Sequence, residues 1–172
     1  MITLITLSNS YIFTKSAVWM HMKNDNKVMT MLQIAADYGD TDACRELGKA
    51  YHDGDAVRID HIKAVRYLTK ASEEGDADAQ YVLGMMYMNG TMVRIDLPAA
   101  YTLLRRSSIS GNTAALYQLG MMYLNGIYVR RSEMSAYQCF RRCSEMGMRE
   151  ADEIISDFTL LSHPSRRACT PR

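Results

Sequence analysis

Four cysteines (Cys44, Cys139, Cys143, Cys169) and four histidines (His21, His52, His61, His163) are the side chains of this sequence best suited to nucleophilic or metal chemistry. Their spacing limits what they can do. Cys139 and Cys143 are four residues apart, so on a helix they share a face and could supply half of a tetrahedral zinc site. Two further ligands in phase are missing, and no histidine has a second histidine or a cysteine at that spacing. A Cys–His nucleophile pair would have to be assembled by the fold, and nothing in the sequence singles one out. Gly-rich phosphate loops, paired catalytic carboxylates and the helical zinc-protease motif are not present. The expectation is therefore no catalytic, cofactor or metal site, with Cys139 and Cys143 packed in a core. The irregular cysteine spacing suits a reducing compartment, so a cytoplasmic setting is expected, with a secreted or periplasmic one as the alternative. Asn89-Gly90-Thr91 fits a glycosylation sequon, but it falls on a turn that recurs for structural reasons.

Residues suited to binding recur at a fixed step of 36. Tyr81 and Met85 are matched by Tyr117 and Met121, with Met88 and Leu124 completing each stripe; Arg45, Lys49 and His52 hold the same positions one step earlier. Met and Tyr suit adaptable peptide contact. The stripe reads either as a groove, charged at one end and Met- and Tyr-rich at the other, or as packing between neighbouring helices. Basic residues keep the same step: Arg58, Arg94 and Arg130 form one ladder, Lys70, Arg106 and Arg142 another. These read as a docking strip for an acidic protein segment or as an ordinary charged surface. Aromatic side chains do not interleave with these arginines as base-stacking would need, so nucleic acid is not expected as a partner.

Composition sets the outer limits. A chain of 172 residues, 48% hydrophobic and 23% charged, is neither a disordered tail nor collagen-like. Its formal charge of +1 excludes a strongly basic nucleic-acid binder. That balance hides an asymmetry. Residues 1–90 carry nine basic and twelve acidic side chains, a net of −3; residues 91–172 carry eleven arginines and seven acids, a net of +4. No apolar run is long enough to span a membrane. The N-terminal stretch lacks the basic start of a signal peptide, and Met20 and Met22 are alternative starts.

The elements that must position these side chains are set by the repeat. Gly39-Asp40-x-x-Ala43-x-x-x-Leu47-Gly48-x-x-Tyr51-x-x-Gly54 returns 36 residues on from Gly75 to Gly90, and again, with Asn112 for Asp, from Gly111 to Gly126. Val57-x-x-Asp60-x-x-x-Ala64 returns at Val93, Asp96 and Ala100, and at Val129, Ser132 and Ala136. Ala79, Leu83 and Tyr87 share one helical face, and Gly75-Asp76 ends one helix and caps the next. Pro98 falls in a first helical turn. A glycine inside a helix costs about 1 kcal/mol relative to alanine. Gly48, Gly84 and Gly120 therefore predict close approach of two helices. Each unit reads as a helix of about 12 residues, a short loop and a helix of about 14.

The string from Ala79 to Gly90, followed by Val93-x-x-Asp96-x-x-x-Ala100, resembles the Sel-1-like repeat family, a branch of the tetratricopeptide-like superfamily. The resemblance implies an all-α, right-handed α-solenoid of 36-residue helix pairs. It also implies a non-catalytic scaffold or adaptor that binds a protein or peptide partner. An exported member with hydrolase-like or cell-wall and host-ligand binding is the alternative. That branch carries a cysteine pair in every repeat, which this sequence lacks. The expected layout is a segment 1–24, disordered or mis-started; a half unit 25–39; full units 40–75, 76–111 and 112–147; a capping helix 149–161; and a disordered tail 162–172. A monomer or a weak end-to-end oligomer is expected.

Overall fold

The computed structural model describes residues 25–55, 57–91 and 93–162. The expectations for segment 1–24 and for the tail beyond residue 162 lie outside the described residues, as do His21, His163 and Cys169. The described chain is all-α, of the solenoid class. Its eight helices are α1 Asp25–Asp37, α2 Thr41–Asp53, α3 His61–Glu73, α4 Ala77–Asn89, α5 Leu97–Ile109, α6 Thr113–Asn125, α7 Glu133–Glu145 and α8 Arg149–Ser162. None is long and apolar enough to cross a membrane.

The first seven helices are each 13 residues long, and a side-chain cap at the N-terminus of each from α2 to α7 sets the same register in every repeat. Asp40, Asp60, Asp76, Asp96 and Asn112 each accept the backbone N–H three residues ahead, at 2.7–3.0 Å. Ser132 does the same from Ser135 at 3.2 Å. Each such cap stabilises its helix by about 1 kcal/mol. At the other end α4 stops on Gly90, whose φ of +68° is left-handed. A Cβ there would also stand 2.7 Å from the Ile95 side chain, so glycine is required twice over.

Two compact units follow, 1–103 and 104–172. In the first, α1 packs on α2, α2 on α3 and α4, and α3 on α4. Ala43, Ala64 and Ala79 are fully buried beside Leu47, Leu68, Leu83 and Met86. In the second, α6 packs on α7 and α7 on α8. Ala115, Ala136 and Ala151, each 72 residues after its counterpart, are again fully buried, with Phe140 and Cys143. Small residues at these positions let the helices approach. Burying a leucine or phenylalanine beside them contributes about 1.5–3 kcal/mol.

Gly48 and Gly120 confirm that approach. A Cβ on Gly48 would lie 2.6 Å from Leu68 Cγ and 3.1 Å from the Leu68 backbone nitrogen. On Gly120 it would lie 2.8 Å from Phe140 Cε1 and 3.2 Å from Cys139 Cβ. Leu68 and Phe140 fill the same repeat position.

Candidate functional site

Arg45 and Lys49 project from α2 on the side that faces α4. The Arg45 guanidinium is held by three carboxylates. Nη1 donates to Asp76 Oδ2 and Asp42 Oδ1, both at 2.8 Å, and Nε donates to Glu46 Oε1 at 3.0 Å. Burial works against its charge, but the hydrogen bonds to Asp76 and Glu46 outweigh that and hold its pKa above the ordinary value. Asp76 therefore does two tasks: one oxygen caps α4, and the other receives Arg45. Arg45 is thus a link between repeats. Lys49 is only loosely tied, its Nζ 3.9 Å from Asp78, and it stays a third exposed.

His52 ends the same face. Its Nδ1 meets Asp53 at 2.7 Å, and its ring stands edge-on to His61, centroids 5.9 Å apart. The α2–α3 loop brings these two histidines together although nine residues separate them in sequence. No group of three or more His, Cys, Asp or Glu among the described residues is placed to hold a metal ion.

On α4, Tyr81 and Met85 occupy the Arg45 and Lys49 positions and are partly exposed. On α6, Tyr117 and Met121 pack against the second unit's core, with Tyr117 edge-on to Phe140 at 5.3 Å. The basic ladder residues Arg58, Lys70, Arg94, Arg106, Arg130 and Arg142 are all exposed, and none forms an ion pair with another described residue.

The thiols face inward. Cys44 Sγ lies 3.9 Å from the Ala36 carbonyl, and Cys143 Sγ lies 3.7 Å from that of Thr113. Burial raises both thiol pKa values, Cys143 to about 11. Neither is an activated nucleophile. Two features carried no sequence signal. Gln80 is buried, and its amide donates to the Ser72 carbonyl at 3.1 Å across the turn between α3 and α4. Tyr128, in the α6–α7 loop, has a φ of +64°.

Sequence comparison finds three consecutive Sel1 repeats, at residues 41–76, 77–112 and 113–148. The chain belongs to the Sel1 repeat family. Solved structures of Sel1 relatives agree. A Sel1 repeat protein from Oxalobacter formigenes is 31% identical, with 74% of this chain and 96% of that one covered and a TM-score of 0.68. The Helicobacter pylori cysteine rich protein B is 26% identical over 74% of this chain and 96% of its own, with a TM-score of 0.60. A protective antigen of uropathogenic Escherichia coli strains, c5321, displays the same fold at 27% identity and a TM-score of 0.76. This chain is covered over 78% there but corresponds to only 29% of that protein. No curated protein sequence matches. As a Sel1 repeat protein the chain has a fold generally used as a protein-interaction scaffold.

Proposed function

We propose that this Sel1 repeat protein is a non-catalytic scaffold that binds a protein or peptide partner on the α2 and α4 face of its first unit. The observation that carries the reading is the partial exposure of Lys49, His52, Tyr81 and Met85 along the stripe that recurs on these two packed helices. A surface already held by caps, ion pairs and packing can bind without being ordered at the moment of association, which removes a large cost of binding. Arg45 supports this surface from beneath, because its charge is already taken by Asp42, Glu46 and Asp76.

The test is affinity capture with the full chain against the triple variant Lys49→Glu/Tyr81→Ala/Met85→Ala, checked for unchanged helicity. Loss of the captured partners supports the surface; retention of every partner sinks it. Arg45→Glu is unsuitable here, since it would also disturb the α4 cap. A reducing compartment is the proposed setting, because Cys44 and Cys143 serve the core as free thiols. Finding these two in disulfides in protein from its native source would overturn that assignment.

A further inference from the structure

The α6–α7 loop of the second unit and the first turn after it expose three large apolar side chains beside an arginine. Ile127 is 37% exposed, Tyr128 52% and Met134 69%. Arg130 is exposed and ion-paired to no described residue, whereas Arg131 is matched by Glu133 at 2.8 Å. The loop therefore presents one uncompensated positive charge within a few residues of three apolar side chains.

The backbone adds an independent sign. Tyr128 is the only non-glycine residue with positive φ among the described residues. A bulky side chain in the left-handed region is disfavoured there, and such outliers concentrate where the strain serves a purpose. Here the strained residue holds an aromatic ring half in solvent rather than in a core. Tyr, Met and Arg are also the side chains enriched at protein interfaces.

We propose that this loop is a docking surface for an acidic segment of a partner protein: Arg130 takes a carboxylate, and an adjacent apolar side chain lies on Tyr128 and Met134. Charge decides the occupant. One free arginine fits one carboxylate, which its planar fork can bind through two hydrogen bonds. A nucleic acid would need several phosphate contacts, and an anionic membrane a cluster of basic residues; the loop offers neither. This surface shares no residue with the α2 and α4 face, so either can fail alone.

The test uses the full chain and three fluorescein-labelled peptides. The first alternates Asp and Glu with Leu and Phe; the second has Lys for the acids; the third has Ser for the apolar residues. Vesicles containing phosphatidylserine form a fourth arm. The first peptide should bind saturably, and each of the other two should bind about tenfold more weakly. Arg130→Glu should weaken the first peptide about tenfold, while Arg94→Glu in the first unit should change it less than about twofold. Tyr128→Gly relieves the backbone and removes the ring, so a loss of binding in a chain with an unchanged or higher melting temperature cannot be blamed on unfolding. The proposal is overturned by absence of saturable binding, by equal loss in Arg94→Glu, or by binding that ignores both loop variants. Equal binding of the Lys peptide, or vesicle binding with the same sensitivity to Arg130, also overturns it. If Tyr81→Ala/Met85→Ala abolishes peptide binding and the loop variants do not, the loop assignment fails and the α2 and α4 face takes its place.

Discussion

Arg45 in the first unit and Tyr117 in the second occupy the same position of the repeat, two periods apart, and are held by opposite kinds of force. Arg45 reaches a carboxylate 31 residues on, Asp76, at the start of the next first helix. At the same separation from Tyr117 stands Met148, and both pack against the second unit's apolar cluster. At this position the first unit adds a clamp of charges to its apolar core, where the second sets an aromatic ring and a thioether against its own. The repeat fixes where two helices meet; the residue type decides whether the meeting is ionic or apolar. An ionic joint leaves its rim hydrated, which is consistent with the polar character of the first unit's candidate surface.

The largest expected effect tests the apolar side of this contrast. Phe140 is fully buried, with Tyr117 at 5.3 Å and Phe158 at 6.5 Å between ring centroids. Phe140→Ala should destabilise the chain by about 3–5 kcal/mol. Urea unfolding followed by circular dichroism measures it, and a loss below about 1 kcal/mol would mean that the ring does not hold the second unit together.

The ionic side should yield less. Arg45→Met takes the cation from Asp76, whose side chain is 12% exposed in the wild-type chain. The cost should be about 1–3 kcal/mol, below the figure for a fully buried pair because solvent still reaches the clamp. The chain itself suggests the repair: Tyr81 precedes Asn112 by the same 31 residues that separate Arg45 from Asp76. In Arg45→Tyr/Asp76→Asn the amide can still cap α4, as Asn112 caps α6. The double variant should recover most of the loss of Arg45→Tyr alone. A coupling below about 0.5 kcal/mol in the double-mutant cycle would show that the two positions are independent.

Much of this was legible before any coordinates, and the reason is physical. Helix ends are written in local chemistry, so Asp76 as a cap and Gly90 as a stop could be read directly. Periodicity also carried the packing inference at Gly48 and Gly120, because a glycine inside a helix is retained only where a Cβ cannot fit. The helices expected at about 12 and 14 residues are both 13, since each loop gives up its flanking residues to the caps. Pairings between helices were not legible. Arg45 stood out in sequence as a candidate contact because it broke the apolar stripe, yet its partner Asp76 lies in the next repeat and looked fully occupied as a cap. His52 and His61 share no helical spacing, so only the loop path reveals their edge-to-face contact. Tyr128 looked like any loop residue, because nothing in the sequence marks a positive φ at a tyrosine.

That residue supports a prediction of opposite sign. Tyr128→Gly should stabilise the chain by about 1 kcal/mol, the approximate cost of holding a side-chain-bearing residue in the left-handed region. A rise in melting temperature together with loss of the acidic peptide would show that the second unit trades stability for a surface. A fall would mean that the ring packs usefully and that the strain account is wrong.

The smallest effect concerns the two buried thiols, one in each unit. Burial raises both Cys44 and Cys143 from an ordinary value of 9.0, and nearby Cys139 adds to the rise at Cys143. Lys70 opposes the rise at Cys44, and Arg142 opposes it at Cys143. The folded chain therefore keeps a proton that the unfolded chain releases, and stability must fall as pH rises. The contribution is fully present below pH 9 and is lost as pH climbs towards about 11, the value reached by Cys143. Between pH 8 and pH 10.5 the urea midpoint of the wild type should fall further than that of Cys143→Ala, whose second unit has no thiol to ionise at that position. Thiol labelling of the native chain should follow the same order, with half-buried Cys139 reacting before Cys44 and Cys143. If Cys143→Ala and the wild type lose midpoint in parallel, the Cys143 thiol is in contact with solvent, and the core of the second unit opens more readily than its packing implies.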